Sequence, residues 1–227
     1  MLCLDVVQII CDFCDLKTQI NLINTCKEYE ENLQIIKLTC TDGINQQVTQ
    51  EILQQKKFSQ LRYLNASNNM KITNVNHLKN TLILLNCSGN CEIAQEGINE
   101  LRKLQILNAC DNQKITNVNH LKDTLIELDC CGNICGIYQK GINELRKLQK
   151  LKASCNEKIT NVNHLKDTLI ELDCNFRNLL IPCCRIPHLP LQSNSIKVSF
   201  KWFTFVIFSL PCAFNSCNFC NSSITFC

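Results

Sequence analysis

The stretch Leu61-Arg-Tyr-Leu-Asn-Ala-Ser-Asn-Asn69 decides the fold, because its pattern returns along the chain. The pattern is leucine, two variable residues, leucine, one variable residue, alanine or cysteine, two variable residues and asparagine. Internal repetition of this kind indicates a stack of similar structural units, which we call coils. The copies begin 21 to 23 residues apart, at Leu61, Leu82, Leu104, Leu125, Leu148 and, with Arg177 in place of asparagine, Leu169.

Two neighbouring copies form a longer repeating unit. The segment Lys71-Ile-Thr-Asn-Val-Asn-His-Leu-Lys79 returns at 114–122 and again at 158–166, in every second copy. We therefore predict six copies between residues 61 and 178, with two kinds of coil in alternation.

The spacing of apolar residues within a copy predicts a short strand. The second leucine and the alanine or cysteine lie two residues apart, so both point to the same side of a strand. One such strand cannot bury its apolar side alone, whereas stacked copies form a parallel sheet over a continuous core. We expect one small core position, filled by Ala66, Cys87, Ala109, Cys130, Ala153 and Cys174. We also expect a buried ladder of amide side chains, formed by Asn69, Asn90, Asn112, Asn133 and Asn156.

The pattern resembles that of the leucine-rich-repeat family, whose units run to roughly 20–29 residues. The resemblance implies an α/β fold, a leucine-rich-repeat solenoid with a curved parallel sheet, whose concave face binds a protein partner. The outward strand positions form that face. They are Tyr63, Asn65, Leu84, Asn86, Ile106, Asn108, Glu127, Asp129, Lys150, Lys152, Glu171 and Asp173.

The character of this face changes from strand to strand. The first three strands carry apolar and amide side chains, and the next three carry two carboxylates, two ammonium groups and two carboxylates. One interpretation is that opposite charges on neighbouring strands neutralise each other. The other is that the face binds a partner with an apolar spot beside charged groups, and the sequence leaves both open.

Residues 1–40 follow a different pattern, in which apolar residues at 2, 6, 9, 10 and 13 have helical spacing. Asp15 or Thr18 is placed to cap a second helix. Within this segment one set of residues follows a known pattern: Leu2, Asp5, Val6, Val7, Ile10, Phe13, Leu16, Ile20, Ile23, Cys26 and Lys27. These residues resemble the motif of the F-box family. The segment departs from that motif at Cys3 and Cys14, where proline and leucine are usual.

The F-box resemblance implies a docking role for the N-terminal helical module. In that family the motif binds a Skp-type adaptor protein of a cullin–RING ubiquitin ligase, and downstream repeats hold a protein substrate. The alternative is a leucine-rich-repeat interaction or scaffold protein with no ubiquitin link, whose helices only shield the first repeat. Residues 41–60 would be a linker and N-terminal repeat cap. The implied adaptor-facing residues are Leu2, Cys3, Asp5, Val6, Ile10, Leu16 and Ile20.

Composition changes sharply after residue 174. All four prolines and the only tryptophan lie beyond Asp173, whereas every acidic residue and every glycine lies before position 175. We expect the apolar, Cys- and Phe-rich tail over 179–227 to be poorly ordered. Its apolar run over 199–210 is shorter than the about 20 residues that a membrane helix needs, so we expect no stable membrane insertion. Reading-frame drift from a longer repeat array is our hypothesis for this change.

The remaining features favour a non-enzymatic protein. The formal net charge of +3 is too small to indicate nucleic-acid binding. No phosphate-binding loop or other catalytic motif occurs, so we expect no cofactor. The chain has 19 cysteines and no secretory pattern at its start, which indicates thiols in the cytoplasm. The Asn- and Ile-rich style also resembles F-box/leucine-rich-repeat proteins of large DNA viruses, for which the compartment would be the host cytoplasm.

Metal and disulfide chemistry were considered for the recurring histidines and cysteines. His77, His120 and His164 recur only in every second copy, roughly 10 Å apart, which is too far for shared zinc ligands. We therefore expect no metal site. Cys110 and Cys131 hold the same outward position on neighbouring strands. Either a disulfide or a reduced pair fits that placement, and a reducing compartment favours the reduced pair.

Overall fold

The computed structural model of the chain describes residues 3–38, 47–174 and 197–198. The α-helices are α1 (Leu4–Phe13), α2 (Leu16–Ile23), α3 (Lys27–Asn32) and α4 (Gln50–Leu53). The strands are β1 (Lys37–Leu38), β2 (Tyr63–Asn65), β3 (Leu84–Asn86), β4 (Ile106–Asn108), β5 (Glu127–Asp129), β6 (Lys150–Lys152), β7 (Glu171–Asp173) and β8 (Lys197–Val198). Short 3-10 turns lie at Lys56–Phe58, Asn76–Leu78, Gln95–Gly97, Asn119–Leu121, Gln139–Gly141 and Asn163–Leu165.

The described strands form one parallel sheet whose spatial order is the chain order. The register sets each copy directly on the previous one, with Tyr63 opposite Leu84 and Leu84 opposite Ile106. The predicted parallel sheet is therefore confirmed. The architecture is α/β, with a few N-terminal helices and an all-parallel sheet, and it is compatible with a repeat solenoid.

The core runs along the inner side of the sheet. The central leucine of every strand from β2 to β7 is at most 3% exposed. The small position is buried from Ala66 to Ala153 and half-buried at Cys174, which confirms the prediction. Cys87 and Cys130 fill this position as small apolar side chains. Burial raises the pKa of both thiols well above their ordinary value.

The predicted ladder of five asparagines needs a correction. Asn69, Asn112 and Asn156 are buried, but Asn90 and Asn133 are exposed. In those two coils a cysteine is buried instead, Cys91 in the first and Cys135 in the second. Each of them lies two residues before the next core isoleucine.

The buried asparagines and one of these cysteines form the same kind of bond. The Nδ2 of Asn112 donates to Cys87 O at 2.9 Å, and the Nδ2 of Asn156 donates to Cys130 O at 3.0 Å. In the coil between them, the Cys135 thiol donates to Ala109 O at 3.4 Å. Amide and thiol donors therefore alternate along one ladder, and each bonds the small-position carbonyl of the coil before it.

On the side away from the sheet, amide side chains join successive coils. The Oε1 of Gln95 accepts hydrogen bonds from the backbone N–H groups of Thr116 and Asn117 at 2.9 and 2.8 Å. The Nδ2 of Asn119 donates to Lys140 O at 2.8 Å in the following coil, and its Oδ1 accepts from the N–H of Glu144 at 3.0 Å. Each of the two kinds of coil therefore bonds to the following coil through a different amide side chain. This difference accounts for a sequence that repeats in pairs of coils.

The N-terminal helices belong to the same core as the repeats. Val7 of α1 and Leu16 and Ile23 of α2 lie in the continuous apolar cluster that includes the strand leucines. Asp15 caps α2, because its Oδ1 accepts a hydrogen bond from the N–H of Thr18 at 3.0 Å. That bond and the Thr18 hydroxyl hold the pKa of Asp15 below its ordinary value.

Most of the tail lies outside the described residues. The expectation of poor order over 179–227 and the frame-drift hypothesis therefore both remain predictions. Among the residues that the structure describes, no helix is long and apolar enough to cross a membrane.

Candidate interaction surfaces

The first candidate surface is the outer side of α1. Val6, Ile9, Ile10 and Phe13 have the spacing of one helix face, and their exposed fractions are 42%, 57%, 47% and 88%. We call these four residues the α1 stripe. The opposite side of the helix carries Val7 and Cys11, which are 3% and 0% exposed. The helix is therefore apolar on two sides, and only one of them is covered by the protein itself.

A side-chain hydrogen-bond pair fixes α1 against the start of the repeats. The Nε2 of Gln8 donates to Gln34 O at 2.9 Å, and its Oε1 accepts from the Gln34 N–H at 2.8 Å. Gln34 precedes β1 by only a few residues. This contact orients the helix so that Val7 and Cys11 face inward and the α1 stripe faces outward.

The structure separates the residues that sequence analysis assigned to an adaptor. Cys3, Asp5, Val6 and Ile10 are exposed, and Ile20 is half-buried. Leu2 lies outside the described residues. Leu16 needs a correction, because it is only 8% exposed and belongs to the core.

Two further residues of this surface were missed by sequence analysis, Ile9 and Phe13. Phe13 was matched to the F-box pattern but not assigned to the adaptor-facing set. Helical spacing could not identify the outer face, because both sides of α1 carry apolar residues.

The second candidate surface is the outward side of the sheet. Its first row holds Tyr63, which is 37% exposed, followed by the half-buried Leu84 and Ile106. Neighbouring strands lie roughly 4.8 Å apart, so these three side chains form a continuous apolar patch. Glu127, Lys150 and Glu171 continue the same row, as the register of β4 to β7 shows.

The second row of that face has a structural role. The Oδ1 atoms of Asn65, Asn86 and Asn108 accept hydrogen bonds from backbone N–H groups two residues later, at 3.0, 3.1 and 3.0 Å. Asp129 makes the same bond to Cys131 at 3.2 Å. These oxygens bind the turn that follows each strand, so only the remaining atoms of the four side chains face a partner.

The charged strands of this face form ion pairs with one another. Lys150 Nζ lies 3.7 Å from a Glu171 oxygen, and Lys152 Nζ lies 3.8 Å from a Glu127 oxygen. Both pairs are partly exposed, and such pairs contribute at most about 1 kcal/mol. This geometry supports the interpretation that opposite charges on β5 to β7 neutralise each other. The apolar patch is the part of the face whose side chains take no part in these ion pairs.

The thiols of Cys110 and Cys131, which hold the same outward position on neighbouring strands, are weak nucleophiles. Burial, together with the carboxylates of Asp129 and Asp111, raises the pKa of Cys110 to about 11. Burial and a hydrogen bond with Asp129 also raise the pKa of Cys131. Both are free cysteines in the structure. Because the thiolate is the reactive form, both side chains remain largely unreactive thiols at neutral pH.

The recurring histidines contact the backbone of the preceding coil. His120 Nε2 lies 3.0 Å from Ile98 O, and His164 Nε2 lies 2.9 Å from Ile142 O. Burial lowers the pKa of His77 and of His120, and the cation of Arg102 lowers that of His120 further. Each ring therefore serves coil-to-coil packing.

The described part of the chain shows no candidate metal centre. Over residues 3–38 and 47–174, no group of three or more His, Cys, Asp or Glu side chains has an arrangement that could hold a metal ion. No protein-family model matches the chain, and no curated protein shows significant similarity to it.

Proposed function

We propose that this protein is a non-enzymatic substrate-recognition adaptor of a Skp–cullin–F-box type ubiquitin ligase. In this proposal the N-terminal helices are an F-box module and the coils are leucine-rich repeats. The α1 stripe docks on the Skp-type adaptor, and the outward sheet face holds a protein substrate. The protein then works in the cytoplasm, which is the host cytoplasm if the chain is viral.

The α1 stripe is the observation that carries the proposal. A terminal element that only caps a repeat array needs a polar outer face to keep the protein soluble. The outer face of α1 is apolar instead, with Phe13 88% exposed at its end. Contiguous apolar side chains on the surface of a soluble protein mark an interaction site, because a partner removes them from water.

The geometry of Cys3 supports the F-box resemblance despite the sequence departure there. Cys3 precedes α1 with φ at −61°. This is close to the φ of about −65° to which proline is restricted. The helix therefore starts with the backbone shape that the usual proline would impose.

The second candidate function is an interaction or scaffold protein without a ubiquitin link. The pairing of Gln8 with Gln34 and the shared core favour a capping role for α1 and α2. That role uses the inner face of α1 and does not account for the outer one. The two functions differ in a single property, namely binding of a Skp-type adaptor.

The test is complex formation between the full chain and a purified Skp-type adaptor, measured by isothermal titration calorimetry. We expect a 1:1 complex and a loss of affinity of about 100-fold in the double variant Val6→Asp with Ile10→Asp. Two buried interface anchors that become charged account for a loss of this size.

The control variant carries the same substitutions elsewhere on the surface. Ile134 and Tyr138 are 43% and 39% exposed, close to the values of Val6 and Ile10. Ile134→Asp with Tyr138→Asp should leave adaptor affinity unchanged. Circular dichroism should show all three proteins folded. The proposal is wrong if the unmodified chain forms no complex, or if the α1 double variant binds as tightly as the unmodified chain.

A further inference from the structure

The apolar patch of the first row lies between charges of opposite sign. Lys37 of β1 stands opposite Tyr63, and Ile106 stands opposite Glu127 of β5. Across five neighbouring strands the row therefore consists of a cation, the three apolar side chains and a carboxylate. Its two ends are four strand spacings apart, which is roughly 19 Å.

Both ends of this row carry further charge of the same sign. Lys37 and the neighbouring Arg62 are exposed, and neither forms an ion pair within the described residues. At the other end β5 carries Glu127 and Asp129, and Lys152 Nζ lies 3.8 Å from one Glu127 oxygen. A partner that covers the apolar patch therefore meets cations at its β1 end and carboxylates at its β5 end.

The second row adds a line of hydrogen-bond donors beside the patch. The Nδ2 atoms of Asn65, Asn86 and Asn108 form no hydrogen bond within the described residues, whereas each Oδ1 is held by a turn N–H. A fixed oxygen also fixes the direction of the amide, so the three donors recur at one strand spacing. All three side chains are half-buried, and a partner that covers them must accept these hydrogen bonds or leave the donors unpaired.

The spacing along the row favours a helix over an extended chain. The three apolar side chains span two strand spacings, about 9.6 Å. Three side chains on one stripe of a helix span two turns, about 10.8 Å. Three side chains on one face of an extended chain are two residues apart and span about 13.2 Å. At the third side chain the helix is out of step by about 1.2 Å and the extended chain by about 3.6 Å.

The charges at the two ends also fit a helix and give it a direction. The N-terminus of a helix carries a partial positive charge and its C-terminus a partial negative charge. A helix of about 13 residues spans the distance between Lys37 and Glu127. The charges stabilise it with its N-terminus over Glu127 and its C-terminus over Lys37, and they disfavour the reverse direction.

We propose that the sheet face between Lys37 and Glu127 binds an amphipathic helix of the protein substrate, with the C-terminus of that helix over β1. One apolar side chain per turn lies on the apolar patch. Carboxylate or amide oxygens on the neighbouring stripe of the helix accept hydrogen bonds from the Nδ2 atoms of the second row. This inference deepens the substrate-binding half of the proposed function and rests on it.

The first test is fluorescence anisotropy with the full chain and a labelled peptide, Ala-Lys-Gln-Leu-Gln-Glu-Glu-Leu-Glu-Gln-Leu-Gln-Ala-Ala. A lactam between its lysine and its first glutamate, both on the face opposite the leucines, holds the peptide as a helix. We expect the lactam form to bind about tenfold more tightly than the linear form, because an isolated helix of this length is marginally stable in water. Equal or tighter binding of the linear form, or no binding at about 1 mM peptide, would overturn the proposal.

The second test removes one donor of the second row. Asn86→Asp keeps the turn bond, since Asp129 makes the same bond on β5, but it replaces Nδ2 with a carboxylate oxygen. It should weaken binding of the lactam peptide about tenfold, because a carboxylate then faces the central glutamates of the peptide. The control is Asn99→Asp, at an exposed residue whose Oδ1 accepts from Gln95 Nε2 at 2.8 Å. An equal loss in both variants, or none in Asn86→Asp, would contradict the donor role of the second row.

The direction of the helix is tested by charge reversal at its C-terminal end. Lys37→Glu should weaken binding of the lactam peptide about threefold at low salt, and the difference should shrink as salt is added. Lys140→Glu makes the same change at an exposed position in a 3-10 turn away from the sheet face. Binding that Lys37→Glu leaves unchanged or strengthens would show that the helix does not end over β1.

A second copy of this chain is the competing occupant, and sedimentation velocity of the chain alone tests it. We expect a monomer. Dimers that the lactam peptide dissociates would assign the face to self-association and would overturn the proposal.

The two proposals can fail separately. Adaptor binding without binding of the lactam peptide removes the helix site and leaves the adaptor function in place. Binding of the lactam peptide without adaptor binding removes the ubiquitin link and leaves a helix-binding repeat protein.

Discussion

Replacement of Asn112 with alanine is expected to lower the free energy of unfolding by about 4 kcal/mol, because several buried backbone groups lose their partner at once. The Nδ2 of Asn112 donates to Cys87 O at 2.9 Å and to Ile93 O at 3.2 Å. Its Oδ1 accepts from the N–H groups of Lys114 and Ile115 at 2.8 and 3.2 Å. Urea denaturation followed by circular dichroism measures the change.

The repeat itself offers a control for this variant. Asn133 occupies the equivalent sequence position in the next coil but is exposed. Asn133→Ala should therefore change the free energy of unfolding by less than about 0.5 kcal/mol. Similar losses in the two variants would show that the asparagines have equal roles, as the sequence pattern predicts, and would contradict the alternation of Asn and Cys donors.

Gly141→Ala is expected to destabilise the protein by about 3 kcal/mol, because the coils are too close together there for a side chain. A Cβ on Gly141 would lie 2.2 Å from Thr116 O and 3.1 Å from Asn117 Cα, both atoms of the preceding coil's backbone. The Gly141 carbonyl also accepts a hydrogen bond from the Val118 N–H at 2.9 Å, so the coils cannot separate without breaking it.

The same denaturation measurement tests this substitution against Lys140→Ala. Lys140 is the preceding residue in the same 3-10 turn and is exposed. The control should unfold at the same urea concentration as the unmodified chain, and Gly141→Ala at a clearly lower one. An unchanged midpoint for Gly141→Ala would mean that the coils are more widely spaced at this point than the structure shows.

The parallel sheet could be predicted from the sequence because its determinants are local and repeated. Alternation within Leu61–Asn69 identifies the inward side chains, and exact return of the pattern predicts the register. The alternation of buried donors could not be predicted from the shared asparagine alone. The sequence feature that marks this alternation is a cysteine in every second coil, at Cys91 and Cys135, each two residues before a core isoleucine.

The candidate surfaces were less accessible to sequence reasoning, because exposure depends on contacts between distant segments. Val6 and Val7 are both apolar and adjacent, yet one is 42% and the other 3% exposed. The difference follows from how α1 lies on α2 and on Gln34. Leu16 was misplaced for the same reason.

Hydrogen–deuterium exchange of the full chain, alone and with a Skp-type adaptor, tests the central claim most directly. If the α1 stripe is the docking surface, the adaptor slows exchange of the amides in Leu4–Phe13 and leaves those of strands β2 to β7 unchanged. Unchanged exchange in Leu4–Phe13, or slower exchange confined to the sheet, would contradict the assignment of α1 as the adaptor-binding element.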